Sequence, residues 1–265
     1  MKTLNRYINE SMFNEAVVGY QDNDDIRGWI DNVYRSGKYD IDLKTHTVNS
    51  SDDVRIKDKS VDRLMPEGWS WGTVKGDFNC SWCGSLTSLE GAPVKVGGDF
   101  FCTFTAITSL EGAPREVGGI FACDCSSNLT SLEGAPEEVG SFHCDYCSNL
   151  KSLEGLTQNV HKGYIIKSCG SLKSLKGAPV KVSGNFACDN CSSLTSLEGA
   201  PREVGGDFTC NICPNLKSLE GAPKKIGGIL MCGECPSLVS FDGAPDGVEV
   251  VHPKRVPRMG DTQMS

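Results

Sequence analysis

A repeat of 21 or 22 residues is the feature that most constrains how this 265-residue chain can fold. Its clearest mark is a bulky apolar residue that returns at this interval: Phe78, Phe100, Phe121, Phe142, Tyr164, Phe186, Phe208 and Leu230. Written out, the unit reads L-x-S-L-E-G-A-P-x-x-V-G-G-x-F-x-C-x-x-C-x-x. One unit is too short to bury its own apolar face, so neighbouring units must stack on one another to form a shared core.

The local pattern of each unit predicts short strands separated by turns. Phe-x-Cys alternates with the period of two that is typical of a strand, and the Gly-Ala-Pro and Gly-Gly steps favour turns on either side. Stacked at the interstrand spacing of about 4.8 Å, each aromatic residue lies above the next. We therefore predict a mainly β protein, a parallel β-solenoid whose core is a continuous apolar column.

These units resemble leucine-rich repeats, whose consensus is L-x-x-L-x-L-x-x-N/C-x-L. The run Phe78-x-Cys80-x-x-Cys83-x-x-Leu86 is similar to the form that carries Cys at the Asn/Cys ladder position, and the resemblance extends over about residues 52–250. Two departures stand out, because aromatic residues replace the strand leucine and residues 156–162 lack the Ala-Pro-x-x-Val-Gly-Gly segment. The resemblance implies a solenoid of leucine-rich-repeat type.

A narrower resemblance concerns the sequence Leu-Thr-Ser-Leu-Glu-Gly-Ala-Pro followed by Val-Gly-Gly-Asp-Phe. It is similar to repeat proteins encoded by large tailed bacteriophages, which have a short helical leader like residues 4–11. This resemblance implies a phage origin. It also implies the host cytoplasm as the place of action, with the virion as the alternative.

The two ends of the chain differ from the repeat, as the ends of a solenoid must. We predict a helical leader and cap over residues 1–50, the solenoid of about eight rungs with degenerate terminal rungs over 51–250, and a flexible tail over 251–265. Within the cap we expect a helix over 4–16, a second helix that starts at 22–25 and ends before Gly37, and a strand over 39–48. The second helix is expected to bury Ile26, Trp29, Ile30 and Val33. A last strand is expected around Val248, Val250 and Val251.

Charge and hydropathy exclude several classes of partner. The net charge is −8 and no segment forms a basic patch, so we expect no nucleic-acid partner. No apolar run approaches the roughly 20 residues of a membrane span, and the N-terminus lacks the apolar region of a signal peptide. These features predict a soluble cytoplasmic protein with no membrane partner.

Fourteen cysteines raise the question of metal binding. Ten of them form pairs with the Cys-x-x-Cys spacing of zinc ligands: Cys80 and Cys83, Cys144 and Cys147, Cys188 and Cys191, Cys210 and Cys213, and Cys232 and Cys235. The repeat itself places both members of a pair at inward positions, where Cys is a small buried hydrophobe. We therefore favour a structural ladder and expect no cofactor, and keep metal binding by these pairs as the alternative.

The sequence contains no recognisable catalytic motif. It has neither the G-x-x-x-x-G-K-[ST] phosphate loop nor the G-x-S-x-G nucleophile elbow. Gly-Gly-Asp-Phe, at 97–100 and 205–208, varies with the repeat and lacks the second acidic residue of the cyclic-dinucleotide synthases that it resembles. We expect a protein that is not an enzyme.

The positions that vary from repeat to repeat mark the candidate binding surface. Invariant positions hold the fold, and the exposed strand face is free for recognition. The candidates are Trp82, Phe101, Phe104, Asp124, His143, Asp145, Tyr146 and Asp189. Exposed aromatic residues with an acidic rim are typical of protein-binding hot spots, so we predict a protein–protein interaction module that binds a host or viral protein.

Two alternatives remain open for this surface. In the first, the N-terminal helices fold over the aromatic residues through Trp29 or Phe13 and bury them. In the second, the chain is a structural protein of a virion or an assembly and docks through its N-terminal leader. The phage resemblance adds host takeover or anti-defence as the setting of the interaction hypothesis.

Overall fold

The computed structural model describes residues 23–156 and 159–252, and over these residues the chain is a mainly β parallel solenoid of about nine turns. The prediction of the fold class is confirmed. The N-terminal elements are α1 (Asn23–Val33), β1 (Tyr34–Ser36), β2 (Tyr39–Asp42) and β3 (Thr47–Ser50).

Each turn of the solenoid contributes strands to two parallel rows. The first row carries the repeated aromatic residue and consists of β4 (Val54–Ile56), β6 (Phe78–Asn79), β8 (Phe100–Phe101), β9 (Glu116–Ala122), β10 (Glu138–His143), β11 (Asn159–Ile165), β13 (Asn185–Ala187), β15 (Phe208–Thr209), β17 (Leu230–Met231) and β18 (Val250–Val251). The second row consists of β5 (Ser70–Val74), β7 (Lys95–Val96), β12 (Lys181–Val182), β14 (Glu203–Val204) and β16 (Lys225–Ile226). The longer strands β9, β10 and β11 span both rows, because β9 pairs through its first residues with β7 and through its last with β8, and β10 and β11 pair with β9 and β10 along both parts.

The strand register follows the sequence repeat. Phe78 pairs with Phe100, Phe100 with Phe121, and Phe121 with Phe142. Their rings, together with the other repeated aromatics, form a buried stack that we call the inner aromatic column. Neighbouring phenylalanine centroids are 5.2–5.6 Å apart and the planes lie within 11° of parallel. The core is therefore shared between turns, as the length of the unit requires.

Glycine is required where consecutive turns approach most closely. A Cβ on Gly118 would lie 2.3 Å from the carbonyl oxygen of Gly97 in the preceding turn. Gly112, in the Glu-Gly-Ala-Pro turn, has a φ of +83°, and a Cβ there would lie 2.7 Å from the backbone nitrogen of Glu90. The invariant glycines thus set the distance at which the turns can stack.

In the N-terminal cap, the predicted second helix is present, but the strand predicted after it differs. Helix α1 has Asp24 and Asp25 in its first turn, where their negative charge suits a helix N-terminus. Its buried side chains are the expected ones, namely Ile26, Trp29, Ile30 and Val33. The predicted strand over 39–48 is wrong as a single element, because β2 and β3 form an antiparallel hairpin around residues 43–46. The predicted helix over 4–16 lies outside the described residues.

At the other end, the predicted last strand is present as β18. It pairs in parallel with β17, so that Leu230 faces Val250 in the register. Val248 and Val250 are partly buried against the core. Of the predicted tail, residues 253–265 lie outside the described part of the chain.

Candidate protein-binding face

A tight turn follows each first-row strand, four residues after the core aromatic. In the eight turns from Phe78 to Leu230 the residue there has a positive φ: Trp82 (68°), Phe104 (56°), Cys125 (56°), Tyr146 (58°), Ser168 (57°), Asn190 (56°), Ile212 (56°) and Glu234 (55°). We call this set the outer column. Its conformation is held by the backbone, since the N–H of every member from Trp82 to Ile212 donates to a carbonyl of the following turn, as from Trp82 to Thr103 (2.9 Å) and from Tyr146 to Lys167 (2.8 Å).

Three of the predicted aromatic residues belong to the outer column and are exposed. The exposed fraction is 62% for Trp82, 41% for Phe104 and 61% for Tyr146. The Trp82 and Phe104 rings stack face to face, with centroids 3.9 Å apart and planes 8° from parallel. Tyr146 lies two turns further along, with Cys125 between it and Phe104. The structure therefore divides the predicted patch into a stacked pair and a separate tyrosine.

Phe101 lies beside the stacked pair at the edge of a hollow. It is half-buried on β8, where its backbone pairs with Asn79. The hollow has a volume of about 350 Å³ and is lined by Arg55, Lys59, Trp82 and Phe101 among other residues. Two basic side chains thus border the aromatic surface, which the sequence patterns did not indicate because Arg55 and Lys59 precede the regular repeats.

The predicted acidic rim has a structural role that sequence reasoning missed. The backbone N–H of Asp145 donates to Asp124 Oδ1 (2.7 Å) and that of Lys167 to Asp145 Oδ1 (2.7 Å), while Asn211 N–H donates to Asp189 Oδ1 (2.8 Å). These carboxylates therefore connect consecutive turns. Burial raises the pKa of Asp124 to about 6 and also raises the pKa of Asp145. Asp189 in addition forms an ion pair with Lys167 at 3.1 Å. Their part in recognition stays a prediction.

A second polar ladder lies just before the core aromatic. Asp99 N–H donates to Asp77 Oδ1 (2.8 Å), and Ile120 N–H donates to Asp99 Oδ1 (2.7 Å). Asn185 occupies the same position and accepts from Asp207 N–H (2.9 Å). This explains the acidic residue of Gly-Gly-Asp-Phe, because it accepts an amide hydrogen of the next turn.

His143 lies on the strand face between Ala122 and Ile165 of the neighbouring strands. It is half-buried, and this burial lowers the pKa of its imidazole. Since its side chain is neutral over more of the pH range, it adds a polar but uncharged group to the surface.

The ten cysteines of the Cys-x-x-Cys pairs are all buried, as a structural ladder requires, and all fourteen cysteines are free thiols. The first member of a pair alternates with the core aromatic, and the second follows the outer-column residue. Second-member thiols donate to a carbonyl of the preceding turn: Cys147 to Cys123 (3.3 Å), Cys191 to Ile166 (3.5 Å) and Cys235 to Cys210 (3.3 Å). The thiols thus provide donors for carbonyl groups at the ends of the strands.

One group of thiols has the spacing of a metal site. The Sγ atoms of Cys123, Cys144 and Cys147 all lie within 4.8 Å of one another, and among the described residues this is the one such group of three or more potential ligands. Hydrogen bonding with the neighbouring Cys123 and Cys144 thiols lowers the pKa of the Cys147 thiol. Cys123 is absent from the predicted metal ligands because its partner in sequence is Cys125, outside the Cys-x-x-Cys spacing.

Helix α1 does not supply the predicted cover over the aromatic surface. Trp29 is in the core, with its ring 5.8 Å from that of Tyr34, and Trp82 remains exposed. The other residue suggested for this cover, Phe13, lies outside the described residues.

Together these features define a parallel β-solenoid repeat protein whose exposed aromatic residues Trp82, Phe104 and Tyr146 lie in the turns that follow the first-row strands, and not on the strands themselves as predicted. Comparison with protein-family models, curated proteins and solved structures finds no match for the chain. Within residues 23–156 and 159–252, no helix has the length and apolar character needed to cross a membrane.

Proposed function

We propose that this chain is a non-catalytic interaction module that binds a protein partner through the face formed by the outer column and the adjacent strands. The observation that carries the proposal is the presence of Trp82, Phe104 and Tyr146 at exposed positions of positive φ. Burial in the core gives no reason for large apolar side chains there, because all three are exposed.

The physical argument rests on the cost of the left-handed conformation. For residues other than Gly, Asn and Asp, this region is unfavourable by about 1–2 kcal/mol per residue. Ser168 and Asn190 show that small polar side chains occupy the same turn. An exposed ring at this position therefore does not relieve the strain, and it increases the apolar surface without adding to the core. Trp and Tyr are also among the residues most enriched at binding hot spots, so binding of a partner explains why these rings are present.

The resemblances support a proposal for the class of partner and the place of action. The Cys-ladder form of the repeat supports assignment to the leucine-rich repeats, and the Ser-Leu-Glu-Gly-Ala-Pro units support a phage origin. We therefore propose that the protein acts in the host cytoplasm on a host or phage protein, in host takeover or anti-defence.

The test is an affinity capture from lysates of infected and uninfected host cells. The bait variant Trp82→Asn/Phe104→Asn/Tyr146→Asn removes the aromatic surface and places Asn where it is compatible with the backbone. The matched control, Val94→Asn/Val180→Asn, removes exposed apolar side chains just before second-row strands β7 and β12. We expect one stoichiometric protein to be captured by the wild type and the control and lost with the aromatic variant.

Two results would contradict the proposal. Capture that is unaffected by the aromatic variant would place the binding surface elsewhere. Absence of any captured protein, combined with recovery of the chain from purified phage particles, would favour the structural role in a virion.

A further inference from the structure

Three thiols converge inside the solenoid, facing away from the proposed binding surface. Cys123 comes from one turn and Cys144 and Cys147 from the next, and all three are buried with their Sγ atoms within 4.8 Å of one another. The Cys147 thiol donates to the Cys123 carbonyl oxygen (3.3 Å), and the Cys169 thiol of the following turn donates to the Cys144 carbonyl oxygen (3.2 Å).

This convergence is not a general property of the repeat. Cysteines occupy the same three positions in two later sets, Cys188 with Cys210 and Cys213, and Cys210 with Cys232 and Cys235. Among the described residues, only the set with Cys123 brings three sulfur atoms this close. The turn that follows Cys144 is also different, because Ile166 replaces the first cysteine there. The cluster thus lies where the cysteine ladder is interrupted.

The donor set selects the kind of ion. Thiolates prefer soft or borderline ions, and Zn²⁺ binds sulfur at about 2.3 Å, which places two sulfur ligands of a tetrahedron about 3.8 Å apart. The three sulfur atoms therefore need to approach by no more than about 1 Å to bind such an ion. Cys169, whose thiol lies 3.2 Å from the Cys144 carbonyl oxygen, is the next cysteine along the solenoid, but its sulfur does not lie within 4.8 Å of all three.

We propose that Cys123, Cys144 and Cys147 form a binding site for a thiolate-preferring divalent ion of the zinc class. On binding, three S–H protons are released to solvent and three metal–sulfur bonds form, so that one net negative charge remains on the site. No electron is transferred. The site is independent of the proposed protein-binding function.

The probes are Zn²⁺ and Co²⁺, added to the reduced full chain during refolding because the thiols are buried. We expect one equivalent of Zn²⁺ to be retained against a chromophoric chelator. With Co²⁺ we expect the near-ultraviolet absorption of sulfur-to-cobalt charge transfer. The variant Cys147→Ser should weaken Zn²⁺ binding by more than about 100-fold, since even outer partners of a metal site contribute 10- to 100-fold.

The matched control is Cys191→Ser, at the same position of a turn outside the cluster. Serine is compatible with this position, because Ser126 occupies it naturally and its hydroxyl donates to the Cys102 carbonyl oxygen (3.4 Å). The control should bind Zn²⁺ as the wild type does, and the two metal-free variants should unfold at similar temperatures. The proposal is overturned if the wild type retains no stoichiometric Zn²⁺, if Cys147→Ser binds normally, or if both variants lose binding equally.

Discussion

Two sets of aromatic rings run along this solenoid, and they differ in burial and in how regularly they occur from turn to turn. The inner aromatic column is buried and nearly invariant, with Tyr164 as the tilted member of an otherwise parallel stack. The outer column has the same backbone in every turn, but its aromatic residues occur only in the N-terminal half, at Trp82, Phe104 and Tyr146. The first set reports what the fold requires. At the positions of the second set the fold accepts many residue types, so a requirement other than folding determines which residue is present.

The largest effect is expected from the inner aromatic column. Phe121→Ala removes a fully buried ring that stacks between Phe100 and Phe142, at centroid distances of 5.2 and 5.5 Å. We expect the free energy of unfolding to fall by about 3–5 kcal/mol, because the variant loses the transfer energy and leaves a cavity between two turns. Denaturant unfolding measures this. A loss below about 1 kcal/mol would show that the turns do not share a core.

The polar ladder beside the strands should give an intermediate effect. Asp99→Ala removes the carboxylate that accepts the partly buried N–H of Ile120, so we expect a loss of about 1–3 kcal/mol. Asp99→Asn is the matched control, since Asn185 occupies the same position and its amide oxygen accepts the equivalent hydrogen bond. The amide variant should keep most of the stability in the same unfolding experiment. Equal losses for both variants would mean that charge, and not the hydrogen bond, is what this position supplies.

The sequence was sufficient to predict the fold because every turn repeats the same physical requirement. Phe at a fixed interval, alternating with Cys and bounded by glycine turns, leaves few arrangements other than stacked parallel strands. The hairpin of β2 and β3 was missed because residues 39–48 lie outside the repeat, so no equivalent segment in another turn shows where the strand ends. The positions of Trp82 and Tyr146 on an exposed face were also predictable, since variable positions in a solenoid lie outside the core.

Other properties of the site depend on side-chain conformations that a residue pattern does not contain. Asp124 and Asp145 were predicted as a surface rim, whereas their carboxylates accept amide hydrogens of the next turn. Ser81 and Asn211 occupy the same position in other turns, and their side-chain oxygens accept from Thr103 N–H and Gly233 N–H in the same way. Likewise, three sets of three cysteines have the same spacing in the sequence, but among the described residues only one set brings its sulfur atoms within 4.8 Å of one another.

The smallest effect is expected in the outer column, and it has the opposite sign. Ile212 is β-branched, 45% exposed and held at a φ of 56°, so Ile212→Asn should raise the free energy of unfolding by about 1 kcal/mol. Phe104→Asn relieves the same backbone strain but removes the stacking with Trp82, which contributes about 0.5–1.5 kcal/mol. Phe104→Asn should therefore stabilise less than Ile212→Asn, or not at all, and a double-mutant cycle with Trp82→Ala isolates the stacking energy. If Phe104→Asn instead destabilised the chain as strongly as Phe121→Ala does, the outer rings would be part of the core, and their exposure would no longer call for a binding partner.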